Sequence, residues 1–349
     1  MSTGFQAVQW NRAKIIYDLT LTAGVSLYIA GYMGLARTFA APDKMPGWDE
    51  LRIQAFGSCA FFMISIILAI GPLARLNPRF LPLLYNRRHF GVFAFCIAAL
   101  HGYFVVDWFA IRSSLPDFWG EITTASNYAK FIGISIKPLG IAALLVFFVM
   151  AATSHDYWLN VLTPQVWKAL HMAVYAAYGL IVMHVALGLM QHSYGRGVPI
   201  ILGLTAGSVA LLHIWAGLKE RALDAGVLPG HDGWISVGPP SSISDKHAKI
   251  VAAPGGERIA VFRDGARIGA VSNLCAHQNG PVGEGEIIDG CITCPWHGWQ
   301  YRLEDGRSPP PFQEELAAFR VRLRDGVVEV HPAPLPPGTP ASIETPSSS

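Results

Sequence analysis

Charged residues are scarce in this chain. Only 14% of its residues are Asp, Glu, Lys or Arg, little more than half the share of an average soluble domain. No basic run is long enough to suggest nucleic acid, and neither half is charged enough to suggest disorder. Cysteine is sparse as well: five residues, an odd number, give no disulfide framework. There is no Gly-rich phosphate-binding turn between a strand and a helix, so a nicotinamide- or flavin-binding module of that kind is missing. The opening MSTGFQAVQWNRAK is too polar for a cleaved signal peptide. No internal repeat is evident.

What the sequence has in abundance is apolar length. Segments near 15–39, 53–74, 90–111, 134–153, 165–190 and 198–218 are each about long enough to cross ~30 Å of hydrocarbon as a helix. ISIILAIGPL, IAALLVFFVMAAT and YAAYGLIVMHVALGLM show no polar face, whereas a helix on a soluble core alternates apolar and charged sides. The expected fold is a membrane all-α six-helix bundle over 1–220, then a linker at 221–231. A small all-β domain over 232–332 follows, and a Pro/Ser-rich tail, 333–349, is expected to be disordered.

Residues 1–231 carry 16 Lys/Arg against 10 Asp/Glu, whereas 232–349 carry 10 against 14. The connection between the second and third spans, LARLNPRFLPLLYNRRHF, holds Arg75, Arg79, Arg87 and Arg88 and no acid. Basic loops face the cytoplasm. Both termini and the polar domain are thus expected there, on a multi-pass protein of the inner membrane. The opposite loops contain Arg37, Lys44, Arg112 and Lys130, so the bias elsewhere is weak.

Ionisable side chains in lipid are costly, and each intramembrane one is a functional candidate. His101 lies in the third span (FCIAALHGYF), His171 and His184 in the fifth (WKALHMAVYAAYGLIVMHVALG), and His213 in the sixth. A neutral imidazole with one available ring nitrogen is a natural axial ligand for haem iron; one tied to a carbonyl is also an ordinary satisfied core group. At the helical rise, His171 and His184 are ~20 Å apart, and His101 is ~18 Å above His89. A haem bridging His101 and His184 is therefore sensible, and the partner of His171 is open between His89 and His213. Thirteen residues of straight helix leave His171 and His184 on faces ~140° apart, which requires a tilt, a kink or an approach from two sides.

IGPLAR, NRRHFGVFAFCIAALH and WKALHMAVYAAYGLIVMH together resemble the ferric-reductase-like transmembrane family, over about residues 50–220. That family includes the haem-binding membrane subunit of the bacterial periplasmic methionine sulfoxide reductase system and, more distantly, the NADPH oxidases. The resemblance implies His101, His171 and His184 as ligands of one or two haems b. His89 falls where the closer relatives carry an aliphatic residue. His155 and His192, at helix ends, read as interfacial.

In the polar half, CITCPWHGWQY completes a pattern of Cys275-x-His277, sixteen residues, then Cys294-x-x-His297. Two Cys and two His also suit tetrahedral zinc. Zinc fingers, however, usually take both thiolates from one knuckle and both imidazoles from the other. Here each loop gives one of each, which serves a [2Fe–2S] cluster with two thiolates on one iron and two imidazoles on the other. AKIVAAP, RIAVFRDG, ARIGAVSN, FRVRLRDG and VVEVHP alternate between Gly turns, as in a small antiparallel β domain. With C-x-H…C-P-W-H-G-W-x-Y, residues 232–332 resemble a Rieske domain. The resemblance is to the ferredoxin type, because the cytochrome bc type has an extra disulfide where this chain has non-Cys residues, Trp296 among them. It implies Cys275, His277, Cys294 and His297 as metal ligands and a lower potential within the Rieske range. Cys291 reads as a strand residue, Pro281 and Gly298 as loop-shaping residues, and Cys59 and Cys96 as small hydrophobes.

Together these resemblances imply electron transfer from a cytoplasmic cluster through bis-His haem to an acceptor across the membrane. Relatives of the bundle usually receive electrons from a flavin and nicotinamide domain. Without one, this oxidoreductase component needs a cytosolic reductase or ferredoxin as donor. A Rieske oxygenase would need a mononuclear iron site, for which no further domain is left. A quinol-oxidising Rieske subunit has one anchor helix and disulfide-bearing loops. The remaining alternative is a haem-free, membrane-anchored Rieske carrier or redox sensor. The loop 112–133 is a candidate outer docking surface.

Overall fold

The computed structural model describes residues 12–39, 45–84, 86–112, 120, 136–154, 158, 161–162, 164–191, 197–225, 231–254, 256–277, 280–296, 298–336 and 338–345. His155, His192, His297 and nearly all of the loop 112–133 lie outside the described residues. The chain divides into two compact units, one of residues 11–69 and 87–212, the other including 70–86 and 213–349.

The first unit is helical. It contains α1 (Arg12–Thr38), most of α2 (Trp48–Leu76), α3 (Arg87–Arg112), α4 (Ile136–Ala152), α5 (Pro164–Met172), α6 (Val174–Gln191) and the start of α7 (Gly197–Ala225). With α5 and α6 taken as one span, five are long and apolar enough to cross a membrane. The sixth, α4, has 17 residues and is ~26 Å long, just under the hydrocarbon thickness. Leu27, Leu145, Leu204 and Leu211 are exposed, as a lipid-facing surface requires. Some polar side chains inside the unit pair across helices. Tyr28 donates to Ser58 Oγ (3.0 Å), and Ser65 and Tyr178 share a hydrogen bond of 2.9 Å between α2 and α6. Helix α4 packs against α3 and α6.

The fifth span is not one straight helix. It breaks at Ala173, whose N–H bonds back only three residues, to the Leu170 carbonyl at 3.1 Å, a tight turn of the kind that re-aims a helix. The break falls between His171 and His184, the pair whose facing directions a straight helix would separate.

In the second unit α7 runs on to Ala225, so the linker expected from 221 is shorter than the sequence suggested. KERALDA is made of good helix formers and has no breaker. Lys219 Nζ donates to the carbonyls of Arg75 (2.8 Å) and Leu76 (3.3 Å), capping the end of α2. Arg75 also pairs with Glu220 at 3.2 Å.

The rest of this unit is β. Its strands are β1 (Ile235–Gly238), β2 (Ala248–Ala252), β3 (Arg258–Asp264), β4 (Arg267–Ser272), β5 (Glu286–Ile288), β6 (Cys291–Thr293), β7 (Gln300–Arg302), β8 (Ala318–Arg324), β9 (Val327–Pro334) and β10 (Ile343–Glu344). One antiparallel sheet runs β1-β9-β8-β4-β3-β2, with β10 added on β4, and a second runs β5-β6-β7. Two Asp-Gly pairs, Asp289-Gly290 and Asp325-Gly326, have positive φ at both residues and close two-residue hairpins, as the twist of the strands favours. One core holds Ile235, Ile259, Val261, Phe319 and Val330. The other packs Phe262, Ile292, Tyr301 and Leu316 around Cys275 and Cys294.

The tail departs from expectation. Residues 333–336 and 338–345 are ordered enough to carry a strand: Ile343 pairs with Ile268, and Glu344 with Arg267. Ile343 packs on the first core, and Thr345 N–H donates to the Ala266 carbonyl at 2.8 Å. A single well-placed apolar residue outweighs the Pro/Ser-rich composition around it.

Candidate redox centres

Two loops meet at one end of the second core. The first leaves β4 and carries Cys275 and His277; the second joins β6 to β7 and carries Cys294. Cys275 N–H bonds the Gly280 carbonyl (2.9 Å), and Cys294 N–H bonds the Trp299 carbonyl (2.8 Å), so each loop curls around its own sulfur. Gly280 is pressed against the other loop: a Cβ there would lie 3.0 Å from Cys294 Sγ and from the Trp296 ring. Gly298, at φ +70°, supplies a left-handed turn that few other residues adopt. Cys275 and Cys294 are each 1% exposed.

Aromatics from the second loop, from β7 and from beyond it complete the site. The Tyr301 hydroxyl lies 3.2 Å from Cys275 Sγ. Burial first, and then the charge on Cys275 and Cys294, push that hydroxyl well above the usual tyrosine range, so it keeps its proton and is available to donate to a thiolate at Cys275. The His277 ring stacks on Trp299, with centroids 4.2 Å apart and planes within 10°, and Phe312 lies 4.5 Å beyond. Cys291 sits in β6, where burial and then the Glu304 carboxylate push its thiol up. It is a core thiol by position. Among the described residues no three His, Cys, Asp or Glu side chains converge on one point. A two-iron cluster needs only its thiolates on one iron and its imidazoles on the other, and His297, the fourth residue of the motif, lies outside the described residues.

The helical unit holds a second arrangement. His101 on α3 and His184 on α6 face one another with ring centroids 6.5 Å apart and planes at 82°. Two imidazoles bonded in line to one metal ion, at about 2.0–2.1 Å each, hold their centroids roughly 6.3–6.5 Å apart. His101 Nδ1 is 2.9 Å from the Ile53 carbonyl, and His184 Nδ1 is 2.7 Å from that of Ile136. A carbonyl only accepts, so each Nδ1 carries the proton and each Nε2 keeps its lone pair. Two glycines make room for the rings. A Cβ on Gly57 would lie 2.8 Å from His101 Cε1, and one on Gly140 would lie 2.9 Å from His184 Cε1. The carbonyls and glycines were not legible as site residues, because a glycine in an apolar helix carries no signal of what packs on it.

The other histidines are placed differently. His171 stacks on Trp167 at 3.8 Å and bonds its carbonyl through Nδ1 at 3.0 Å. Its Nε2 is buried without a hydrogen-bond partner. His89 Nδ1 lies 3.4 Å from both carboxylate oxygens of Asp18 on α1, an acid the sequence reading did not single out. His213 lies on α7, in the other unit.

Comparison with known proteins identifies both halves. The Rieske [2Fe-2S] domain matches residues 233–320, and the ferric reductase like transmembrane component matches residues 55–182. The anthranilate 1,2-dioxygenase ferredoxin subunit of Burkholderia cepacia is 36% identical over 88 residues, which span 25% of this chain and 80% of that protein. Cholesterol 7-desaturase of Xenopus laevis is 40% identical over 68 residues, 18% of this chain and only 15% of that protein. Among solved structures, the Sphingomonas yanoikuyae B1 ferredoxin is 24% identical, with 28% of this chain and 95% of that one covered and a TM-score of 0.26. This chain belongs to the Rieske [2Fe-2S] family through residues 233–320, joined to a ferric reductase-like transmembrane component over residues 55–182.

Proposed function

We propose that the protein moves single electrons across a membrane, from a cytoplasmic [2Fe–2S] cluster on Cys275, His277, Cys294 and His297, through b-type haem on His101 and His184, to an acceptor on the far side. The observation that carries the reading is the facing pair His101 and His184, at the spacing of two imidazoles sharing one metal ion. Both arrive with Nδ1 engaged and Nε2 presented, which is how bonding behind a ligand fixes its tautomer and orientation. Haem held there, like the cluster, takes up and gives back one electron at a time. Ile53 and Ile136 fix the rotation of the rings, and Gly57 and Gly140 let them approach.

The basic loop with Arg75, Arg79, Arg87 and Arg88 supports a cytoplasmic position for the cluster domain. Similarity to a ferredoxin subunit supports charging of the cluster by a separate cytosolic reductase or ferredoxin. His171 supports a further haem position nearer the basic loop, ~20 Å from His184 along the span. The loop 112–133 remains the candidate surface for the outer acceptor.

The reading predicts haem b in the purified protein at about one to two per chain, by the pyridine haemochrome spectrum after detergent extraction. No haem, from cells able to supply it, contradicts it and leaves a membrane-anchored Rieske carrier. Tyr301→Phe keeps the ring in the core and removes the donor to Cys275. The cluster potential should then fall, by roughly 40 mV for each ~1 kcal/mol by which that hydrogen bond favours the reduced state. Redox titration followed by EPR checks this, and an unchanged or higher potential contradicts it.

A further inference from the structure

The two halves of the imidazole pair are built alike. His101 bonds the Ile53 carbonyl, and His184 bonds the Ile136 carbonyl; each pair is 48 residues apart. His101 lies over Gly57, and His184 over Gly140, each pair 44 residues apart. The set Ile53, Gly57, His101 therefore recurs as Ile136, Gly140, His184, every member displaced by 83 residues. In each set the carbonyl and the glycine come from one span and the imidazole from the span that follows, α3 in the first set and α6 in the second. The contacts that α2 makes with α3 thus recur between α4 and α6. Two copies facing one another present equivalent nitrogens to a shared centre.

The same displacement carries Arg88 onto His171, each of them thirteen residues before the facing histidine of its own half. There the copies differ, with an imidazole in one and a guanidinium in the other. A guanidinium keeps its proton under all ordinary conditions and has no lone pair for a metal. His89 does not take the vacated role. It is one residue further along α3, a step of ~100° around the helix, and it is held against Asp18 of α1, outside the duplicated pair. His171 meanwhile keeps a buried Nε2 with no hydrogen-bond partner.

We infer that the bundle is a duplicated helix pair with one complete bis-imidazole position, His101 and His184, and one half position. In the half position His171 is the single protein imidazole, and Arg88 stands where duplication would place the second. This inference rests on the reading that the bundle binds haem. The complete position should give low-spin iron. Haem held at the half position would have His171 as its single protein ligand and would be high-spin when oxidised.

The test counts low-spin ferric haem by EPR against chain concentration in the purified full-length protein. About one per chain is expected in the wild type, and about two after Arg88→His, which rebuilds the missing imidazole. His171→Ala should leave the wild-type low-spin count at one and so provides a second variant should Arg88→His fold poorly. Two low-spin haems per chain in the wild type would overturn the inference, because His171 would then have a partner. A loss of low-spin haem in His171→Ala would overturn it too, as would a folded, cluster-bearing Arg88→His protein whose count stays at one. No haem in any of the three overturns the proposed function as well, whereas two in the wild type leaves that function standing.

Discussion

A Cys294→Ser chain should lack the Rieske EPR signal, with cluster content at least about tenfold below wild type. The hydroxyl of serine does not replace a thiolate on iron, and the neighbouring backbone is already committed: Cys294 N–H bonds Trp299 and its carbonyl accepts from Gly298. The loss should reach beyond the site, since a metal centre that forms only in the folded chain contributes its binding energy to folding. Limited proteolysis should then cut the β domain faster, while the helical unit remains protected. Cys291→Ser is the matched control. Its thiol lies in β6 rather than in either loop, so the cluster should load as in the wild type. Full cluster content in Cys294→Ser would remove that residue from the ligand set.

If the bundle holds haem as proposed, His184→Ala should abolish its low-spin signal and leave the cluster signal intact. The variant removes one of two facing imidazoles, and His101 alone gives at most a singly ligated iron. Gly140→Ala should act in the same direction without removing any ligand. Its new methyl would lie 2.9 Å from His184 Cε1 and 3.0 Å from Nδ1, so the ring must shift and its bond to the Ile136 carbonyl must stretch. Displacing such a supporting contact costs about ten- to a hundredfold in affinity for the metal centre. Haem content and the low-spin EPR signal together check both variants. A Gly140→Ala protein with wild-type haem would show that the ring has slack which the close packing does not suggest.

The features that were legible in the sequence are those whose signal is local. Six apolar spans stand out because lipid tolerates no polar face, and the iron–sulfur loops stand out because Cys-x-His and Cys-x-x-His are each contiguous. The facing directions of His171 and His184 left a kink open, but its place at Ala173 was not legible, since alanine is the best helix former and nothing near it marks a stop. The strand Ile343–Glu344 was hidden by composition: Pro and Ser surround the one side chain that reaches the core. The duplication we infer is hidden for a different reason. Its two copies share a backbone carbonyl, a glycine and a histidine, and a carbonyl leaves no trace in the amino-acid code. Over that stretch the two segments, NRRHFGVFAFCIAALH and ALHMAVYAAYGLIVMH, are two apolar helical stretches that share little beyond their final histidine. Only the contacts 44 and 48 residues apart make them equivalent.

The central claim is that the cluster and the bundle form one electron path. The most direct measurement reduces the cluster of the intact protein in a single turnover and follows the haem Soret and α bands by stopped flow. Our account predicts that the haem is reduced as the cluster signal decays, and that Cys294→Ser abolishes this step while leaving the haem reducible by dithionite. A cluster that stays reduced beside oxidised haem would contradict it.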